Sequence, residues 1–489
     1  MKKYITSLCC FIAFISMGMT ANNPSDSMPN FLIVMVDDVS PHQFGCYGNT
    51  KVKTPNIDYL ARTGVQFQTA WATPMCSPTR ALLVTGRYPF RTGVWHNDLR
   101  LECTAETRWN WAQRHLTFAQ VLRAHGYKTA LAGNPMALGS SFYSDDVGFD
   151  EHCIRALTLA DVPVGSTFTG QFEGKYNFPD AKPVPSRYWH PCVIRNGSLL
   201  QTSESDFGPD LYTEFLTDFI TRHPSVPFLA YYPMNLVHDM AGGGIPTTPV
   251  RGTPGTNKGG NLEDLIEYID LLVGRLINCL DEVGVRENTV IIFTSDNGDS
   301  SGRKMHANEY GPRVPFIMNS PDIIKKRGMT SALMEFSDIF TTLMDFSGAE
   351  LPEGYHVDGK SMVPFLTGKS DSHRDSITSW IATAQMARTQ KWILEDVDPV
   401  YGSKQGRIYF CGDEYRREKY IEKTNSQSED VKVAQEKLQN VLKRNPWPNR
   451  SESSVAAEIK AYNSMPYKHF VEGKLVSEAN INLSQNEDN

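Results

Sequence analysis

The chemistry of this chain gathers around one cysteine. Cys76-Ser77-Pro78-Thr79-Arg80 is followed by Thr85-Gly86-Arg87, and these residue types fit a nucleophile at a helix start. Pro78 fixes φ near helical values and suits a first turn, so Cys76 is expected at or just before a helix N-terminus. Free backbone N–H groups and the positive end of the helix dipole would there face an approaching anion. Arg80 lies four residues on, on the same helical face, with a fork suited to an oxyanion or a gem-diol. Gly86 is placed to end the helix or to let the backbone approach a neighbour. A single cysteine before a proline-started helix is commonly an ordinary buried thiol; the complete motif argues for more.

Two strand-like segments bracket that motif. Residues 30–36, Asn-Phe-Leu-Ile-Val-Met-Val, form a continuous apolar run ending in Asp37-Asp38, and residues 289–295 form a second run delivering Asp296-Asn297-Gly298. Such runs read as buried parallel strands, and ligand sites in open α/β sheets collect at the carboxyl ends of strands. Three carboxylates and an amide oxygen make a hard-oxygen set, the ligand chemistry of Ca²⁺ or Mg²⁺ rather than Zn²⁺. One Asp-Asp pair after a strand is more often a cap or a turn; two such ends in one chain form a pattern. A third run, 227–233, leads to His238, whose imidazole can donate a proton to a departing alcohol. Its plainer reading is a loop histidine with a backbone partner.

In this order, these segments resemble the type I sulfatases of the alkaline-phosphatase-like superfamily, over nearly the whole mature chain from Pro29 to about Leu394. The resemblance implies that a maturation enzyme oxidises Cys76 to formylglycine, whose hydrate attacks sulfur. It implies that Asp37, Asp38, Asp296 and Asn297 hold Ca²⁺ beside residue 76, itself counted in the metal set. Arg80 and His238 become catalytic, His238 at the leaving-group oxygen. Lys304, in the stretch from Lys304 to Arg313, takes the place of a sulfate-gripping lysine. Read by itself it would be solvated surface, and Arg313 is expected to be structural. One departure stands out. Where the family usually reads Gly-Lys-Trp-His, this chain reads Gly133-Asn134-Pro135-Met136-Ala137-Leu138-Gly139. A cation and a histidine are therefore missing from an anion site, and His96, His115 and His306 are the candidate substitutes. A rewired sulfate pocket, a related ester as substrate, or binding without turnover would each account for the change.

The rest of the chain must position these groups. Its 489 residues are too many for one simple core. The fold expected is α/β and alkaline-phosphatase-like: a large, mostly parallel sheet sandwiched by helices, plus a smaller C-terminal antiparallel sheet with a helix. The division expected is a signal peptide over 1–21, a catalytic domain over 28–372, an α+β subdomain over 373–475 and a polar tail over 476–489. Met1-Lys2-Lys3 and the apolar stretch behind it read as a bacterial-type export signal, placing the protein in the periplasm or outside the cell. No later segment is long enough for a stable membrane span. Nine cysteines less Cys9 and Cys10 leave an odd number; with Cys76 set aside the remainder is even, so disulfides are open. Cys279 reads as a core residue on an amphipathic helix over 261–284.

Further helices are expected over 117–125, 336–346 and 428–443, with strands over 127–132, 377–382 and 389–394. Segments 161–201 and 240–260 are too long for plain connections and read as pocket-shaping loops. In the first, Arg187-Tyr188-Trp189-His190 offers a stacking surface for a sugar, or a packed aromatic loop. A net charge of −7 argues against nucleic acid and against long sulfated polyanions, and favours one sulfated sugar held in a pocket. The expected function is thus an exported sulfatase acting on a sulfated carbohydrate. The alternatives are a phosphodiesterase or phosphonate monoester hydrolase, or a silent glycan-binding relative.

Overall fold

The structure is a computed structural model. It describes residues 28–94, 97, 115–136, 147–175, 182–241, 243–250, 253–258, 260–381, 383–398, 403–444, 469–471 and 474–476. The expected signal peptide, Cys103, His96, residues 137–139 and all but the first residue of the expected tail lie outside the described residues.

A ten-stranded mixed sheet organises the chain. Its strands, in chain order, are β1 (Asn30–Val36), β2 (Val65–Trp71), β3 (Lys128–Gly133), β4 (Glu151–Arg155), β5 (Val193–Arg195), β6 (Ser198–Leu199), β7 (Phe228–Pro233), β8 (Thr289–Ser295), β9 (Phe316–Asn319) and β10 (Gly328–Glu335). Their spatial order is β10-β2-β9-β8-β1-β7-β3-β4-β5-β6. The centre is parallel: β1 pairs with β8 and β7, and β3 with β7 and β4. Antiparallel pairs flank it, as in β8–β9 and β4–β5. Every residue of β1 and β8 is buried, which explains their unbroken apolar runs.

Helices cover both faces. On one face Phe31, Ile33 and Met35 pack with residues of α2 (Cys76–Thr85), α3 (Phe118–Ala124) and α6 (Ser337–Ser347). On the other, Leu32, Val34 and Val36 meet α1 (Pro55–Thr63), α4 (Gly208–Arg222) and α5 (Leu262–Val283). Helix α5 begins where Asn261 Oδ1 accepts from the Asp264 amide at 2.8 Å, and stops at Gly284 with φ 76°. Both ends follow from residue type. Cys279 is buried on it, as expected. The six described cysteines Cys46, Cys76, Cys153, Cys192, Cys279 and Cys411 are all free thiols, so no disulfide joins any of them.

A separate five-stranded antiparallel sheet follows: β11 (Ile377–Ile381), β12 (Ala384–Arg388), β13 (Trp392–Val397), β14 (Arg407–Phe410) and β15 (Ile421–Glu422). Helix α7 (Glu429–Arg444) packs on one face of it. The other face packs Ile377, Met386, Ile393 and Tyr409 against Trp71 and Leu333 of the large sheet.

Two expectations need correction. The strand expected over 389–394 is instead the turn between β12 and β13 followed by the first three residues of β13. The Thr389 amide donates to the Trp392 carbonyl at 2.8 Å, and Thr389 Oγ1 accepts from the Trp392 amide at 3.2 Å. A threonine hydroxyl thus reverses the chain without glycine or proline. The long segments are also less irregular than expected: β5 and β6 extend the main sheet from within 161–201, and 240–260 contains a short hairpin.

Candidate active site

Parallel register brings the site together. Pairing runs from Asn30 opposite Thr289 to Val36 opposite Ser295, so Asp37-Asp38 and Asp296-Asn297 emerge at one sheet edge. The ladder continues past the strands: the Asp296 amide donates to the Val36 carbonyl at 3.1 Å, and the Asp38 amide to Asp296 Oδ1 at 3.1 Å. Asp38 takes a left-handed backbone, φ 61°. The same edge receives the ends of β7, β3 and β4, which deliver Asn235–His238, Asn134 and Arg155.

Helix α2 starts at Cys76, as its sequence predicts, and ends at Gly86 with φ 65°. A side chain at Gly86 would meet the Phe340 side chain at 2.8 Å, so glycine serves both the turn and the packing. Cys76 Sγ lies 4.0 Å from Asp37 Oδ1 and 3.9 Å from Asp38 Oδ1, with Asn97 Nδ2 at 3.8 Å. Arg80 Nη2 donates to Asp37 Oδ2 at 2.9 Å and to Asp296 Oδ2 at 2.7 Å. Lys304 Nζ donates to both Asp38 oxygens, at 2.7 and 3.0 Å. His238 Nε2 stands 3.8 Å from Asp38 Oδ2. All eight residues singled out in the sequence therefore meet in one place.

Charge dominates this cluster. Burial, then the Asp37 charge, pushes Asp296 up to about 7. Burial likewise raises Asp37, against the pull of Arg80. Burial would raise Asp38 too, but the Lys304 ammonium and His238 override it and hold Asp38 below the usual carboxylate range. Burial keeps the Cys76 thiol protonated, well above its ordinary value. Burial, helped by Lys304 and Arg187, pushes His238 down to about 4, so the imidazole is neutral near pH 7.

The donor set fits a hard cation. One ligand atom each from Asp37, Asp38, Cys76 and Asp296 lies within 4.8 Å of the others, and all four residues are buried. Asn297 Nδ2 donates to Asp38 Oδ1 at 2.6 Å, leaving the buried Oδ1 of Asn297 without a hydrogen-bond partner. Turning that amide over would add a fourth oxygen to the three carboxylates, and the two amide orientations differ only in such contacts.

Sequence reading missed several neighbours. Asn134, read as a lost cation, is a buried junction: Nδ2 donates to Asp37 Oδ2 at 3.2 Å and Oδ1 accepts from Arg155 Nε at 3.1 Å. Arg155 comes from the end of β4, a position that the sheet-edge rule could have flagged. Arg187 and Tyr188 are buried rather than a sugar-stacking surface. Of the proposed histidine substitutes, His115 Nδ1 lies 3.0 Å from Arg87 Nη1, and burial lowers His306 against the opposing charge of Asp396. Arg313 is structural as expected, with Nε donating to the Gln68 carbonyl at 3.0 Å.

The family profile described as Sulfatase matches residues 29–349, from just before β1 through α6. The chain belongs to the type I sulfatase family. As a sulfatase of the alkaline-phosphatase-like superfamily, it is a sulfuric ester hydrolase. Human steryl-sulfatase is 30% identical over 427 residues, which span 72% of this chain and 71% of that protein. An N-acetylgalactosamine-6-O-sulfatase of Bacteroides thetaiotaomicron is 29% identical over 423 residues, 73% of this sulfatase and 80% of the relative. The crystal structure of Ps i-CgsB superposes with TM-score 0.68 at 21% identity, covering 90% of this chain and 98% of that one, a likeness of fold. Among the described residues of this sulfatase, no helix is long and apolar enough to cross a membrane.

Proposed function

We propose that this sulfatase is exported and releases sulfate from a sulfated carbohydrate, using a formylglycine at position 76 and a calcium ion. The observation that carries the reading is the convergence of Cys76, Arg80, His238 and Lys304 on the carboxylates of Asp37, Asp38 and Asp296. Asp37, Asp38, Asp296 and Asn297 would hold Ca²⁺, with residue 76 beside them; the bound ion would supply positive charge against a sulfate oxygen. Formylglycine would supply a hydrated aldehyde as nucleophile. Arg80 orients the Asp37 and Asp296 carboxylates and adds fixed charge at the start of α2, where free N–H groups also favour an anion. Lys304, now on Asp38, is placed to turn to a sulfate oxygen when the ion takes over that carboxylate. His238, neutral in the empty site, would be the proton donor to the departing sugar oxygen once Nε2 is protonated beside the bound anionic ester.

The sugar class draws support from two neighbours. One is the N-acetylgalactosamine-6-O-sulfatase above. The other is a structure solved with its substrate D-glucosamine-2-N,6-O-disulfate, TM-score 0.59 at 18% identity, covering 86% of this chain and 97% of that one. We further propose the division into a catalytic domain over 28–372 and a smaller subdomain over 373–475, with an export signal before them. The test is ion chromatography of sulfate and phosphate released from sulfated and phosphorylated sugars. The protein is made with its maturation enzyme, formylglycine is confirmed by mass spectrometry, and Cys76→Ala is the blank. Sulfate from one sugar supports the reading. Phosphate alone would move it to the phosphodiesterase class, and silence across the panel would refute the carbohydrate assignment.

A further inference from the structure

The segment between β4 and β5 carries a buried ion pair that the scheme above leaves unused. Arg187 Nε lies 2.9 Å from Glu173 Oε2, with side-chain exposures of 1% and 2%. Glu173 Oε1 also accepts from the Arg187 amide at 2.6 Å and from Arg187 Nε at 3.1 Å. Its Oε2 reaches the Ala241 amide at 3.2 Å, three residues past His238. Arg187 Nη1 lies 3.4 Å from His238 Nδ1. Next in sequence, the Tyr188 hydroxyl sits 2.7 Å from the Asn235 carbonyl and 2.6 Å from that of His238. The loop bearing His238 is thus held on both sides by residues 173, 187 and 188.

The tautomer follows. His238 Nδ1 lies 2.8 Å from the Asp239 carbonyl oxygen. A carbonyl only accepts, so Nδ1 carries a proton; Nε2, turned to Asp38 and the reacting groups, can donate only in the imidazolium, which forms when Nε2 takes up a proton with the sulfate ester bound. Nδ1 has no lone pair left for Arg187, whose flat guanidinium then acts as a wall against ring rotation. Stability alone is a weak reason for such a pair, since desolvating two charges offsets most of their attraction. At 1% side-chain exposure Arg187 presents no open surface to a sugar.

We propose that Glu173 and Arg187 are positioning residues for His238, holding its Nε2 toward the leaving-group oxygen. The inference rests on His238 being the proton donor. A donor matters more as the leaving oxygen becomes more basic. The experiment therefore compares kcat on substituted phenyl sulfates, from 4-nitrophenyl to unsubstituted phenyl, for matured wild type, His238→Ala, Arg187→Ala, Arg187→Lys and Glu173→Gln, each checked for melting temperature. His238→Ala is expected to lose about 100-fold on phenyl sulfate and a few-fold at most on 4-nitrophenyl sulfate. Arg187→Ala and Glu173→Gln are expected to show the same tilt at roughly 10-fold, in kcat more than KM, with Arg187→Lys recovering part of it. Arg187→Lys and Glu173→Gln keep side-chain volume, so the comparison stands if Arg187→Ala fails to fold. A uniform loss across the series in these variants, with the tilt kept in His238→Ala, overturns the positioning role alone. A flat series in His238→Ala overturns the donor assignment, and the positioning role falls with it.

Discussion

Arg80 donates from Nε and Nη2 to a single oxygen of Asp296, at 3.1 and 2.7 Å, across 216 residues of sequence. Its Nη2 also reaches Asp37. One side chain thereby ties the cysteine helix to both central strand ends, and one positive charge is shared by two carboxylates that repel each other. The same pairing makes the carboxylates interdependent, which sets the first expectation.

Asp296→Ala is expected to lose bound calcium and at least about 100-fold in sulfate release. Elemental analysis of desalted protein checks the metal. Calcium content equal to wild type would remove Asp296 from the ligand set.

Cys76→Ala is expected to abolish turnover yet change stability by no more than about 1 kcal/mol. The reason is that every polar contact of Sγ is long, 3.8 to 4.0 Å. A melting curve run beside the sulfate assay reads both. Retained hydrolysis would sink the nucleophile assignment.

Asn134→Lys restores the residue type usual in the family, but the structure argues for a loss. Asn134 is 1% exposed and hydrogen-bonded to Arg155 and Asp37, with Arg80 Nη1 on its carbonyl at 3.4 Å. A third cation there meets two buried arginines, at a cost of about 3 kcal/mol or more. Lower melting temperature and lower kcat/KM are expected; a gain in activity would instead reveal a vacant cation site.

Asp338 supplies a pH test away from the chemistry. It is buried, with His373 Nε2 at 2.8 Å and Arg374 Nε at 2.8 Å. Burial would raise its pKa, but Arg374 and His373 override it and bring it down to about 2. An acid depressed in the folded state adds stability that is complete above its unfolded pKa, near 4, and disappears as pH falls through about 2. Wild type is therefore expected to exceed Asp338→Asn by roughly 2–4 kcal/mol at pH 7. Urea titrations from pH 5 downward should show the gap closing; a gap independent of pH would contradict the charge-pair account.

Much of this is legible in the amino-acid sequence, and for identifiable reasons. Residues 30–36 and 289–295 announce themselves because both faces of a central parallel strand are buried. The residues that follow such strands then fall at one edge, which locates Asp37, Asp38, Asp296 and Asn297. The turn at Thr389 stayed hidden because a hydroxyl closes it without the usual breakers. Glu173, and the part that Arg187 plays beside His238, stayed hidden for another reason. Their meaning lies in contacts with Ala241 and His238, made by a loop whose path no periodicity encodes. Asn134 shows the opposite error: a missing lysine reads as a vacancy, while the fold uses the amide to join Arg155 to Asp37.

The strand order has a consequence in time. β1 leaves the ribosome early, yet its flanking partners are distant: Asn30 meets Phe228 across 198 residues and Thr289 across 259. Contacts so far apart in sequence close slowly, after most of the chain exists. Until then the segment around Cys76 has no sheet to be buried against, although the finished fold leaves that thiol 0% exposed. The thiol is thus open to another protein before the sheet closes and shut away afterwards, and the late arrival of β7 and β8 lengthens the open interval.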